Sequence, residues 1–395
     1  MRISTTINYI RYLFLPIKQK QWLFTSFGGY YNDSPKALSE KVHVMYPNIQ
    51  IYWAVKEEKK GLLPNYVTYV EFGTEEYRKV RSQSKVIIDN VYADKAFTIF
   101  KHQIINNFRK KVIMRLSHKK GQKYYSLWHG TPMKRIGRFQ YGNDDIVDML
   151  VDKNLTMIVG NEFTNLMMKN VAFGKLNVKS MGMARNDALF STENKENIGV
   201  SKEKKIILFA PTFRNDGKDV EGKNLQRSGL DQLNSIDFEK LFACLENKFG
   251  GDWVFVCRFH YHVSSIVDWD SLNKKYNGKI INGNAKDDMA EYLSCADILV
   301  TDASSSMIDY ALTGKPCFLF FPDLENYSNR ERGLPLDINE LPFPISKTFD
   351  SLIGSINSFD ENKYTEDVKK LLQKIGNVDD GHAAARIAKY IYEDK

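Results

Sequence analysis

Short apolar runs alternate with amphipathic, helix-like stretches along most of the chain. The runs 22–26, 50–55, 66–70, 86–89, 124–128 and 157–159 read as a first series of strands. The runs 205–209, 253–257, 279–281, 298–301 and 316–321 read as a second. Between them, 35–46, 238–248 and 305–313 carry apolar residues at helical spacing. Strands that alternate with helices predict an α/β fold with parallel sheets covered on both faces. Two such series predict two doubly wound, Rossmann-like domains facing across a cleft. The polar stretch Ser191–Lys204 marks the expected boundary, giving domains 1–195 and 196–395. A second polar stretch, Asn215–Gly229, reads as a long loop after a strand end. The segment Gly381–Tyr392 reads as a helix able to pack back across the first domain.

Polar clusters stand at the ends of several of these strands. The run Leu127-Trp128-His129-Gly130-Thr131-Pro132-Met133-Lys134-Arg135 places an imidazole where a strand gives way to a glycine turn. Gly130 permits close approach of a ligand. Thr131 and Lys134 are candidate substrate contacts, with Lys134 and Arg135 adding two cations. A proton-transfer group beside anion-binding groups suits phosphoryl transfer; a buried histidine capping a strand is the structural alternative. A second cluster is Thr301-Asp302-Ala303-Ser304-Ser305-Ser306, followed by a helical pattern that carries Asp309. Ser304 or Ser305 is the expected N-cap, and free N–H groups there suit an anion. Asp309 suits a ribose hydroxyl or plain solvation. Pro211, Thr212 and Arg214 follow the strand 205–209, while Arg258 and His260 follow 253–257. Arginine forks match diphosphate oxygens. After the last strand comes an irregular segment with Glu325 and Arg332, long enough to cover a substrate.

Charge adds a further element. The formal net charge is +8, and eight cations between Lys101 and Lys123 account for all of it, with no Asp or Glu among them. Phe97, Phe100, Ile104, Phe108, Val112 and Leu116 recur there at helical spacing. A basic amphipathic helix reads as a membrane-surface element, with Phe100, Phe108, Arg109, Lys110, Lys111 and Arg115 as contacts. The other reading is a helix packed on a core with solvated lysines. Nucleic acid is a weaker fit, because the charge is confined to one segment without a recognition motif. No apolar run reaches bilayer length and no signal peptide is visible. The four cysteines are scattered, which argues against zinc or a disulfide framework and fits a reducing compartment. Phosphate-loop, dinucleotide-binding, zinc-protease and nucleophile-elbow motifs are missing, so neither a metal nor a cofactor is expected.

In order along the chain, the segments Trp128–Gly137, Ala210–Arg214, Thr301–Tyr310 and Asp323–Tyr327 resemble the hallmark motifs of the CDP-glycerol glycerophosphotransferase family. Gly182-Met183-Ala184-Arg185-Asn186-Asp187 is similar to another, although it replaces a proline-containing form, and Tyr261 stands where proline is expected. The resemblance runs from Phe27-Gly28-Gly29 to Arg332-Gly333. It implies a GT-B architecture, with the donor on the C-terminal domain and the acceptor on the N-terminal one. It implies His129 and His260 as the functional histidines, and Ser304, Ser305 and Arg332 at the donor phosphates. Ser306 extends that hydroxyl run. The implied reaction moves glycerol phosphate from CDP-glycerol to a hydroxyl of an undecaprenyl-diphosphate-linked saccharide, releasing CMP, in teichoic-acid synthesis at the cytoplasmic face of the bacterial membrane. With about twenty residues before the first strand, the chain looks more like the priming enzymes than the chain-extending ones. Either histidine fits the role of base. A CDP-ribitol-dependent transferase, a capsule-type polymerase, a nucleotide-sugar glycosyltransferase and a non-catalytic membrane scaffold are the rival readings.

Overall fold

The computed structural model describes residues 12, 14–90, 119–137, 155–172, 176–191, 195–212, 227–259, 264–325 and 335–394. The chain divides into two compact units. Unit 1 comprises Met1–Gly130, Ile136–Asp187 and Asn377–Lys395, and unit 2 comprises Thr131–Arg135 and Ala188–Gly376. The polar stretch expected to separate the domains belongs to unit 2 instead. Ile198 and Val200 are buried there, and Lys195 donates to the Lys204 carbonyl and the Asp297 carboxylate. Low hydropathy reported charge on this stretch, but two apolar anchors and a bonded lysine fold it onto its unit.

Unit 1 is built on strands β1 (Lys18–Phe24), β2 (Gln50–Val55), β3 (Thr68–Glu71), β4 (Ser84–Asp89), β5 (Lys123–Ser126), β6 (Leu155–Val159) and β7 (Asn177–Ser180). They form a parallel sheet in the order β3-β2-β1-β4-β5-β6-β7. The register sets Trp22 between Ile51 and Val86. β7 escaped the hydropathy pattern because it is an edge strand with alternating exposure. Helices α1 (Asp33–Met45), α2 (Glu75–Gln83) and α3 (Glu162–Leu166) accompany the sheet. Thr74 starts α2 by accepting the Tyr77 N–H, and Asn161 starts α3 by accepting the Thr164 N–H.

Unit 2 carries β8 (Lys205–Ala210), β9 (Trp253–Cys257), β10 (Ile280–Asn282), β11 (Ile298–Thr301), β12 (Cys317–Phe320) and β13 (Ile345–Ser346). Their order is β10-β9-β8-β11-β12-β13, again all parallel. β13 is too short to show as a run in the sequence. β9, β11 and β12 are buried at every position, which explains their unbroken apolar composition. The helices are α4 (Arg227–Asn234), α5 (Phe238–Phe249), α6 (Trp269–Lys275), α7 (Met289–Cys295), α8 (Ser306–Ala311), α9 (Phe349–Asn357) and α10 (Glu361–Lys374). α4 begins inside the stretch expected to be loop. Asp237, Asp268, Asp288, Thr348 and Asp360 each cap a helix by accepting an N–H two or three residues on.

The last helix, α11 (Ala383–Glu393), belongs to unit 1 and packs against α1. Its Ala383, Ala384, Ile387, Ala388 and Ile391 are buried with Trp22, Leu38, Val42 and Trp53 in the unit 1 core. All four cysteines are buried thiols outside any disulfide.

Candidate functional site

In each sheet the strand order reverses at one place, between β1 and β4 in unit 1 and between β8 and β11 in unit 2. Ligands of doubly wound sheets sit beyond the carboxyl ends of strands at such a switch point. Both switch points carry the polar clusters singled out above.

In unit 1 the turn after β1 supplies Phe27, the end of β4 supplies Asn90, and the end of β5 supplies His129. Asn90 ties these segments together. Its Oδ1 accepts the Phe27 N–H (3.0 Å) and its Nδ2 donates to Ser26 Oγ (3.0 Å), which donates to Asn32 Oδ1 (2.6 Å). The Asn90 carbonyl lies 3.0 Å from His129 Nδ1. A carbonyl only accepts, so Nδ1 carries the proton and Nε2 presents a lone pair. Phe27 meets the imidazole edge-on at 6.1 Å, and Trp128 lies 4.1 Å from it. Burial lowers the His129 pKa below the ordinary imidazole value; the Asn90 carbonyl and Asp33 oppose this shift, while Arg185 adds to it. The ring is therefore neutral near pH 7.

Backbone strain concentrates here. Phe27 (φ 44°), Asp33 (φ 60°) and Trp128 (φ 44°) are three of the four non-glycine residues with left-handed backbone among the described residues. Each such residue costs about 1–3 kcal/mol and persists only where its surroundings enforce it, and such residues gather at functional sites. Gly130, at φ 131°, takes a conformation that a side chain would oppose. The motif then divides. Thr131–Arg135 groups with unit 2, so Thr131 (buried) and Lys134 (half-buried), expected beside the imidazole, belong to the other unit.

In unit 2, Thr301 donates to the Ala210 carbonyl (2.6 Å), and Asp302, fully buried, accepts the Thr212 N–H (2.7 Å). These bonds cross the switch point and fix the Ala210-Pro211-Thr212 turn. The N-cap of α8 is one of the two serines expected, but the bonding around it differs. Ser305 is the N-cap residue but makes no side-chain cap bond. Ser304 Oγ accepts both the Ser306 N–H (3.3 Å) and the Ser306 hydroxyl (2.8 Å). Ser304 and Ser305 remain half-exposed, while Ser306 and Asp309 are buried.

Two expected contacts change role. Arg258 Nη1 donates to the Gly283 and Lys286 carbonyls (2.7 Å each), and Nη2 to that of Asp287 (2.9 Å). Its guanidinium also lies over the Tyr292 ring at 4.7 Å. Arg258 therefore holds the loop before α7 rather than presenting its fork to a diphosphate. Glu325 is exposed and paired with Lys347 at 2.8 Å. Arg214, His260 and Arg332 lie outside the described residues, as do Phe100, Phe108, Arg109, Lys110, Lys111 and Arg115. Sequence reasoning missed Asn90 and gave no role to Asp302. Both are the first polar residue after a buried strand flanking a switch point, which is the signal that marks them. Among the described residues, no His, Cys, Asp or Glu group is placed to hold a metal ion, and no helix is long and apolar enough to cross a membrane.

Two parallel, doubly wound sheets, each with a polar cluster at its switch point, place the chain in the GT-B class of α/β proteins. A sequence profile of the CDP-glycerol:poly(glycerophosphate) glycerophosphotransferases matches residues 7–393, and the chain belongs to that family. It is 26% identical to the teichoic acid poly(glycerol phosphate) polymerase of Staphylococcus epidermidis, over 96% of this chain and 51% of that protein. It is 27% identical to the teichoic acid glycerol-phosphate transferase of Staphylococcus aureus, over 96% of this chain and 94% of that one. The chain thus spans about half of the first relative (51%) and nearly all of the second (94%). Among solved structures it is similar to the wall teichoic acid polymerase TagF, with a TM-score of 0.75 and 25% identity over 98% of this chain and 93% of that one.

Proposed function

We propose that this protein transfers glycerol phosphate from CDP-glycerol to a hydroxyl of a lipid-linked saccharide, releasing CMP, and adds one or a few units as a priming enzyme does. The observation that carries this reading is the imidazole of His129, held by the Asn90 carbonyl with Nε2 left as acceptor at a switch point, in a chain of this family. His129 Nε2 takes the proton of the acceptor hydroxyl. The freed oxygen attacks the β-phosphorus, the bond from that phosphorus to the CMP oxygen breaks, and CMP leaves with the electron pair. Ser304, Ser305 and the Pro211–Thr212 turn bind the donor phosphates, joined by His260, Arg214 and Arg332. Catalysis of this kind is mostly positioning and charge stabilisation. The S. aureus glycerol-phosphate transferase, matched over 94% of its length, supports the transfer of glycerol phosphate. The protein meets its acceptor at the cytoplasmic face of the membrane, attached peripherally by the basic segment from Lys101 to Lys123.

The deciding experiment incubates the purified protein with a short-chain lipid-linked disaccharide and, separately, CDP-glycerol, CDP-ribitol or UDP-sugars. CMP release with CDP-glycerol, and a product heavier by one or a few glycerol phosphates, is expected. Turnover with CDP-ribitol or a UDP-sugar in its place replaces the donor assignment, and no turnover with any of them favours a scaffold.

The pH dependence has a definite sign. Protonation disables a base, and burial makes His129 harder to protonate than free imidazole. The acid limb of kcat/KM is therefore expected below the ordinary imidazole value of about 6.5. A limb centred at or above that value, measured with saturating acceptor, would exclude His129 as the base.

A further inference from the structure

The motif Gly182–Asp187 has no part in the chemistry above, yet its bonds reach the His129 turn, the start of α1 and the last helix. Arg185 is almost buried, with 11% of its side chain exposed. Its Nη1 pairs with Asp33 Oδ2 at 2.6 Å, and its Nη2 donates to the His129 carbonyl at 3.1 Å. Its backbone N–H points at Ser34 Oγ, 3.4 Å away. One guanidinium thus joins the start of α1 to the peptide that links His129 to Gly130. The segment carrying it is mounted on the chain's last residues. Met183 N–H donates to Asp379 Oδ1 (2.7 Å), and the Asp187 carboxylate accepts the N–H groups of Ala383 and Ala384 (2.8 Å each). At Gly182, φ 86°, an added Cβ would stand 2.7 Å from Ala383 Cβ.

We propose that Arg185, paired with Asp33, is a positioning residue that fixes the His129 peptide and so the direction in which Nε2 faces its proton donor. The proposal rests on His129 acting as the base. The glycine after His129 would otherwise let that peptide rotate, and a misplacement of about 1 Å costs on the order of a hundredfold in rate. The charged groups that face the imidazole are Asp33, from the start of α1, and Arg185. The ends of β1 and β4 contribute the uncharged Phe27 and Asn90.

Two readouts on the full chain separate this role from a merely structural one. The first is the NMR titration of His129, identified by its loss in His129→Gln, which needs no turnover. Arg185→Met removes a cation and leaves Asp33, so the His129 midpoint rises; Asp33→Asn does the reverse and lowers it. General loosening would move both variants the same way. The second is steady-state CMP release. Arg185→Met is expected to lower kcat about 10- to 100-fold with the KM for CDP-glycerol changed less than about threefold. Arg185→Lys keeps the charge and loses the two-armed geometry, so its midpoint stays while kcat falls. It also serves as the reporter if Arg185→Met fails to fold. Midpoints that do not move in opposite directions, or a wild-type kcat in Arg185→Lys, would overturn the proposal. Opposite midpoint shifts in the two variants, with no CMP release even from the wild type, would instead reject the proposed reaction and leave only the coupling of Arg185 and Asp33 to the imidazole.

Discussion

His129→Ala is expected to lower CMP release from CDP-glycerol by about 10²–10⁴-fold, the usual contribution of a positioned general base. The donor should still bind, because the groups assigned to the diphosphate lie on unit 2 while His129 lies on unit 1. The fold should survive as well. The ring is half-buried and hydrogen-bonds to the Asn90 carbonyl, so its loss costs about 1 kcal/mol through that unmade bond. Neighbouring structure is held independently, since Asn90 reaches Phe27 and Ser26 through its side chain. His129→Gln checks that loss of the base, not collapse of the site, causes the effect. Donor affinity from calorimetry and a thermal melt, read beside single-turnover CMP release, make the comparison. Turnover within about tenfold of wild type in both variants would assign the proton to another group, with His260 first in line.

Ile387→Ala is expected to destabilise unit 1 by about 2–5 kcal/mol, and deletion of residues 382–395 to leave it unfolded. Ile387 is 1% exposed and sits among Ala383, Ala384, Ala388 and Ile391 on the face of α11 that enters the core. The two isoleucines contribute about 1.5–3 kcal/mol each by burial, and deletion also uncovers the apolar face of α1. Both ends of the helix are anchored, the first by the Asp187 carboxylate. The second is held by Asp394, which pairs with Lys123 at 3.0 Å and accepts the Tyr125 hydroxyl. Total stabilities of about 5–15 kcal/mol leave little margin for such a loss. Calorimetry should show the unit 1 transition about 5–15 °C lower in Ile387→Ala, with the unit 2 transition unmoved. A melt unchanged in both units would mean that α11 adds nothing to the core.

Much of the architecture was visible in one dimension. β8, β9, β11 and β12 are buried on both faces, and such strands must be continuously apolar. Edge strands β7 and β13 escaped notice because one alternates in exposure and the other has only two residues. The hydroxyl run before α8 was visible as a strand end, but its bonding was not, since Ser304 bonds Ser306 while Ser305 holds the cap position. Arg258 shows the same limit. An arginine after a strand looks alike whether its fork meets a ligand or three backbone carbonyls.

From its sequence alone the chain is an α/β protein of two doubly wound series, with His129 and the hydroxyl run at strand ends. Periodicity and strand-end chemistry are local properties, written within a few residues of one another. The partners that orient His129 required the folded chain. Asn90 lies 39 residues away and Arg185 56, and Asp187 reaches Ala383 across 196. Nothing in residue spacing encodes those meetings. They arise because parallel strands bring their carboxyl ends to one edge of a sheet, where remote polar residues must satisfy one another's hydrogen bonds.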